Sequence, residues 1–392
     1  MLVRSFCCVV LMFLTLPELS AWGFWAHQRI NRLAVFTLPP ELFGVYKENL
    51  EFLTEHAVDP DKRRYAVDGE AAHHYMDIDH FGVFPFQNVP RYWDEAVEKF
   101  SADTLEAYGV VPYHIPTVIY RLSKAFEDRD LERIMKLSAD LGHYVGDAHV
   151  PLHTTLNYNG QLTGQKGIHG FWESRLPELF AERYDFFVGK AQYIQDIYLE
   201  AWDAVLESHR EVEMVLLLER QLSEEFPASK KYGYESRNTL TVRTYSREYA
   251  AAYHRMLDGM VEARMRKAIF RIGSFWYTAW RLAGSPDLSN LRKSGPLEIE
   301  LPAYDKKLKI EDREAYDLGL RWGQPAGQRA KPMGLYRFVA SQGAKQDLPK
   351  VQRERSLAQA YWQRRSGQIR WESWWQHFCS FKWLDFWKIS SY

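Results

Sequence analysis

The chain is short of cysteine, of charge of one sign and of long apolar runs, and each shortage excludes something. It holds three cysteines, and Cys7 and Cys8 fall in a leader-like start. The remainder keeps Cys379 alone, so no intramolecular disulfide can staple it in any compartment. Lys+Arg number 50 against 51 Asp+Glu over 392 residues, a net charge of −1, which argues against a uniformly basic nucleic-acid binder. No run of about 18 or more apolar residues occurs, so no membrane-spanning helix is expected. Alternating runs rich in Val, Ile and Thr are scarce, so strands are not expected either.

What is present supplies a large core. Hydrophobic residues make up 46% and aromatics 15%, which rules out disorder along the whole chain. Arg4, the apolar stretch from Ser5 to Leu16 and the small residues ending at Ala21 predict a secretory signal peptide over residues 1–21. Leu19 is larger than the residue usual three positions before such a cut. Export to the periplasm or the exterior is the corresponding expectation.

Beyond the leader, helical spacing recurs. Leu131, Ile134, Leu137, Leu141, Val145 and Ala148 step by three and four, as do Ile269, Ile272, Phe275, Trp276 and Ala279 before Gly284 and Pro286. Ala191 to Leu222 reads as one long helix or two, and Val110–Pro112 and Phe81–Val89 read as loops. These signals predict one all-α, multi-helix domain over residues 22–305, with no internal repeat. Residues 306–392 differ: 17 Lys+Arg face 8 Asp+Glu, a net of +9, and seven of the 14 tryptophans lie there. That tail reads as a basic aromatic arm for membrane or nucleic acid, as a poorly ordered extension, or as an altered gene end. Low order is the expectation. The remaining 1–305 then carry −10. Nothing in the sequence assigns an oligomeric state.

The chemistry-bearing residues cluster. Of 13 histidines, ten lie between positions 27 and 169. His143 and Asp147 stand at i and i+4 on one predicted helix, and His169 and Glu173 repeat that spacing. His153 follows Pro151, which should end the first of these helices. Asp59 and His74 stand upstream. A lone His/Asp pair on a helix is more often a surface ion pair than a ligand pair. Two such pairs with a histidine between them point instead to a metal, and imidazole with carboxylate and no thiolate suits zinc in a partly open site.

The ordered set Trp22-Gly-Phe-Trp-Ala-His27, Asp59, His74-Tyr-Met-Asp77, GHYVGDAHVPLH over 142–153 and GIHGFWES over 167–174 resembles the zinc-dependent phospholipase C superfamily. That superfamily spans bacterial phospholipases C and the single-strand-specific zinc nucleases. The resemblance covers residues 22–174 and implies an all-α fold with a trinuclear zinc site. It implies that Asp59, His74, His143 and Asp147 bind one Zn²⁺ and that His153, His169 and Glu173 bind a second. Trp22 and His27 would bind a third, bridged by Asp147, with the α-amine and carbonyl of Trp22 as ligands. An α-amine titrates near 7.7–8.0 in general and can bind metal, whereas an amide nitrogen cannot, so the expected cleavage after Ala21 fits this role. Asp59 and Asp147 are then the expected catalytic carboxylates, acting on a phosphodiester by in-line attack of an activated water.

The substrate is open at this level. The Trp-x4-His start, Lys62 three residues after Asp59, and Asp77 three after His74 look like the nucleases, which makes Lys62 and Asp77 candidate substrate contacts. The nucleases' Gly-Gly-Asn element is not visible, and Asn157, in the stretch that occupies its place, is the third candidate. Glu173 and the short gap from His153 to His169 look like the phospholipases C. Tyr75, Tyr144, Tyr158 and Phe171 could stack a base or pack the core. The sequence leans slightly to a nuclease-like hydrolase of single-stranded nucleic acid, with a phospholipase C as the alternative. A non-catalytic binding protein stapled by zinc is the third reading, although structural zinc sites are usually closed and rich in thiolate.

Overall fold

A computed structural model describes residues 23–64, 66–237 and 240–291. The expected leader, Trp22 and the expected tail over 306–392 lie outside the described residues. The described chain is built on long helices: α1 (Phe24–Ala34), α2 (Val111–Asp128), α3 (Leu131–Ala148), α4 (Ile197–His209), α5 (Val212–Glu225), α6 (Arg247–Met256) and α7 (Met260–Leu282). Shorter helical turns join them. None of the described helices is long and apolar enough to cross a membrane.

The helices start where their sequences say they should. The Asp130 carboxylate accepts from the Arg133 N–H and opens α3. Asp196 accepts from the Tyr198 and Leu199 N–H groups and opens α4, and Ser246 does the same for α6. Val111 and Pro112, expected in a loop, begin α2 instead. A proline in the first turn lacks only an N–H that would have no helical partner there.

Two further expectations are corrected. Ala191 to Gln195 is irregular rather than helical. Two of its N–H groups go to α7, Gln192 donating to Ser274 Oγ at 3.1 Å and Ile194 to Thr278 Oγ1 at 2.9 Å, and that of Ala191 goes to the Thr37 carbonyl. A ladder of hydroxyls one helical turn apart thus outcompetes local helix formation. A two-stranded antiparallel hairpin also appears, β1 (Tyr232–Arg237) with β2 (Leu240–Tyr245), in register from Tyr232↔Tyr245. Its hold on the domain is aromatic and cationic. The Tyr245 ring stacks on Phe171 at 3.9 Å, and the Lys231 ammonium lies 5.0 Å from the Tyr249 ring while donating to Glu219.

Helix α3 is central: α1, α2, α4 and α7 all pack on it. Its predicted stripe widens into full enclosure, and every residue from Ser138 to Ala148 is buried, with Leu137 half-buried at the edge. On α7, Ile269, Ile272, Phe275, Trp276 and Ala279 are all inaccessible to solvent. Each large apolar side chain so buried contributes about 1.5–3 kcal/mol. Close approach of α1 needs Gly142, because a Cβ there would overlap the Asn31 side chain. Asn31 uses that space to donate to the Ala139 carbonyl at 3.1 Å. The residue after Gly142 is His143, so the contact that closes the core also presents α1 to the polar centre.

A charged brace ties α7 to the C-terminal end of α3. Arg264 donates to the His149 carbonyl and to Ser208, and Arg271 donates to His149 Nε2 and to Glu207. Glu207 also accepts from Lys267 and Arg264. Burial would raise its carboxyl, but Arg271 and Lys267 outweigh that and hold it below the ordinary glutamate range. A carboxyl depressed on folding stabilises the protein above its unfolded pKa and loses that contribution as pH falls. Glu207→Gln should therefore cost about 1–3 kcal/mol at pH 7. The deficit should shrink as pH drops below about 4. Thermal unfolding of both proteins at the two pH values checks this.

Candidate metal centre

Six segments converge on the centre. Helix α1 supplies His27, and α3 supplies His143 and Asp147 one turn apart. The short helix Asp59–Arg63 supplies Asp61, and the turn Glu70–His74 supplies His74. Pro151–Thr154 brings His153, and a wide π-helical turn over Phe171–Arg175, just after His169, brings Glu173. Asp147 is the hub: Oδ1 lies 3.2 Å from His27 Nε2, and Oδ2 lies 2.8 Å from His74 Nδ1 and 3.3 Å from His143 Nε2. His27 and His143 stack with ring centres 3.9 Å apart. In a neighbouring group, Glu173 Oε2 lies 3.4 Å from His153 Nε2 and 3.1 Å from His169 Nε2.

The rings are aimed by main-chain carbonyls. His143 Nδ1 meets the Ala57 carbonyl at 2.8 Å, His153 Nδ1 the His74 carbonyl at 2.5 Å, and His169 Nδ1 the Tyr158 carbonyl at 2.9 Å. A carbonyl can only accept, so Nδ1 carries the proton in each ring and the Nε2 lone pair faces the centre. His74 is reversed, with Nδ1 toward Asp147. Burial holds His27 and His153 below the usual histidine range and His74 at about 3. These rings are therefore neutral near pH 7, the form that binds a metal. Burial pushes Asp61 well above the carboxylate range and Glu173 up to about 7. Burial acts the same way on Asp147, but the imidazoles of His143, His153 and His27 facing it outweigh burial and hold that carboxyl well below its ordinary value.

Asp59, expected as both ligand and catalytic carboxylate, is not part of this cluster. It is pinned by His56 Nδ1 at 2.6 Å and by Lys62 Nζ at 2.8 Å. Burial would raise its carboxyl, but the hydrogen bonds from His56 and Lys62 lower it. Asp61 is the carboxylate that enters the centre, 3.6 Å from His143 Nε2 and 3.7 Å from His74 Nδ1. The local signal in the sequence is the pair of hydrogen-bonding side chains, His56 and Lys62, three residues either side of Asp59. The other expected contacts also differ. Lys62 is spent on Asp59, and Asn157 serves its own loop, accepting from the Leu162 N–H at 2.8 Å and donating to Thr163 at 3.1 Å. Asp77 is buried, and its N–H donates to the Tyr108 carbonyl. Tyr75, Tyr144, Tyr158 and Phe171 are all buried and offer no free face for a base.

Sequence reasoning also missed the support behind His74. Glu70 Oε1 lies 3.9 Å from His74 Nε2 and accepts from the Tyr144 hydroxyl at 2.5 Å and from Arg63 at 3.3 Å. Arg63 in turn bonds Asp140. The i, i+4 spacings of Glu70 with His74 and of Asp140 with Tyr144 are visible in the sequence, but their meeting with Arg63 joins three separate segments.

The residues present fit a metal. Three groups each bring their ligand atoms within 4.8 Å of one another: His27–Asp61–His143, His74–His143–Asp147 and His153–His169–Glu173. Both oxygens of Asp61 are buried without a hydrogen bond, a state that costs several kcal/mol unless a cation answers it. The donors are nitrogen and oxygen throughout, as zinc accepts in a site with room for water.

A family model described as zinc dependent phospholipase C matches residues 26–236. No curated protein matches the chain. Among solved structures, the alpha toxin from Clostridium absonum is similar at 13% identity with a TM-score of 0.36. That likeness covers 66% of this chain and 64% of the toxin, less than two thirds of its length.

Asp61→Asn should weaken zinc binding by more than about 100-fold, beyond the effect usual for an outer partner. Asp59→Asn should leave it within about threefold, because Asp59 faces His56 and Lys62 and orients none of the clustered imidazoles. Metal content after dialysis against a zinc buffer separates the two. Equal losses would return Asp59 to the ligand set.

Proposed function

Given that the chain belongs to the zinc-dependent phospholipase C family, we propose that it hydrolyses phospholipids, releasing diacylglycerol and the phosphorylated headgroup. The carrying observation is a buried, thiolate-free cluster in which one carboxylate, Asp147, serves three imidazoles. Three Zn²⁺ ions are proposed: one for Asp61, His74, His143 and Asp147, one for His153, His169 and Glu173, and one for His27 and Trp22 with Asp147 shared. Bound zinc lowers the pKa of water toward neutrality and offsets phosphate charge.

The chain's own residues then have distinct tasks. Asp147 holds His27, His74 and His143 in one arrangement. Asp61, with two buried oxygens facing His74 and His143, takes over the role of ligand and proton acceptor expected of Asp59. His153, His169 and Glu173 form the group proposed to lie toward the departing oxygen. The family match favours lipid over nucleic acid, and two features agree with it. The aromatic side chains considered for base stacking are buried. Residues 1–305 carry a net −10, which disfavours a polyanion.

The ligand role of the Trp22 α-amine, and export with removal of residues 1–21, belong to the same proposal. Gly23 supports it: a Cβ there would come within 2.6 Å of Ser174 Oγ, beside Glu173. The chain leading into α1 thus starts tight against the ligand turn.

Purified protein beginning at Trp22 should hydrolyse phosphatidylcholine, lose the activity to a chelator and regain it with zinc. Hydrolysis of single-stranded DNA or RNA with no lipid turnover would overturn the reading. Retaining one residue before Trp22 should remove about one zinc per chain, measured by metal analysis, since an amide nitrogen is not a usable ligand. Full occupancy would sink the α-amine assignment.

A further inference from the structure

The loop Phe81–Val89 has a fixed base and an apolar tip in solvent. Gly82, Val83, Phe84 and Pro85 are all exposed, Val83 at 85% and Phe84 at 41%. Phe86 is buried in the left-handed region at φ 57° and packs on the His209 ring at 5.0 Å. A non-glycine residue holds that conformation only when its surroundings enforce it. Here Arg91 bonds the carbonyls of Phe86 and Val89, and its guanidinium lies 4.5 Å from the Trp202 ring.

The base is tied to the metal centre. His209 Nδ1 meets the Thr154 carbonyl at 2.8 Å, next to His153. Asp79, two residues before the loop, accepts from Thr155 and from the Leu156 N–H. The Met76 N–H bonds the His153 carbonyl at 2.9 Å. The exposed Arg210 guanidinium lies 5.3 Å from the Phe84 ring, so a cation stands against the apolar tip.

We propose that this tip inserts into the surface of a phospholipid assembly, with Arg210 meeting lipid phosphate and Val83 and Phe84 entering the acyl boundary. An apolar wedge beside a guanidinium matches both layers of a lipid interface. The inference rests on the phospholipid reading, and supplies the surface that brings a water-insoluble substrate to a buried centre.

The test uses the full mature chain with Cys379→Ser and a polarity-sensitive fluorophore on Val83→Cys, with Tyr234→Cys on the hairpin as control. Vesicles of phosphatidylcholine with phosphatidylglycerol should blue-shift the label at 83 and leave that at 234 unchanged. The double variant Val83→Asp/Phe84→Asp should turn over vesicles about tenfold more slowly, since two apolar side chains leave the interface. It should hydrolyse short-chain, monomeric phosphatidylcholine at the parental rate. An unshifted label at 83, equal losses on vesicles and monomers, or a shift that follows protein self-association without vesicles would overturn the proposal. A shifted label in a protein that hydrolyses neither lipid form would uphold the surface and reject the hydrolase reading.

Discussion

A fully buried carboxylate, Asp147, within reach of three buried imidazoles sets the terms for the rest of the structure. A charge in such a place is costly unless partners meet it from every side. They come from α1, from α3 and from the turn that ends at His74, so these segments must be in place together. The need for α1 to lie close enough for His27 to stack on His143 accounts for Gly142, and with it the tight seat of Asn31.

The second requirement is rigidity at the far end of α3. Just past Asp147 the chain turns to place His153 in the adjoining ligand group. Arg264 and Arg271 reach across from α7 to the peptide and ring of His149, in the middle of that turn. Arginine suits this task because a planar fork binds several acceptors at once. The brace is charged yet largely buried, which only a matched set of partners such as Glu200, Glu207 and Ser208 makes tolerable.

Much of the architecture could be read from the sequence where periodicity carried it. Helices α3 and α7, their apolar residues and the i, i+4 pairs His143/Asp147 and His169/Glu173 follow from spacing alone, because helical geometry fixes which side chains share a face. Where tertiary partners decided the outcome, spacing was silent. Ala191–Gln195 is not helical because it bonds Ser274 and Thr278, some 80 residues away on α7. Asp59 and Asp61 are the same residue type two positions apart, and only their surroundings separate them: His56 and Lys62 hold the first, while the second faces His74 and His143. The lean toward nucleic acid rests on the Trp-x4-His start, Lys62 and Asp77, and the Asn157 contact on its place in the chain, short-range matches that cannot report whether a side chain is already engaged. Lys62 and Asn157 are engaged.

Three of the clustered imidazoles take their orientation from the peptide oxygens of Ala57, His74 and Tyr158. A main-chain oxygen is supplied by every amino acid. The orientation of these imidazoles is therefore written into the path of the backbone, and the side chains at 57 and 158 can vary in kind as long as that path holds. The outer layer of this centre would leave little trace in a comparison of sequences, even where it is kept intact in three dimensions.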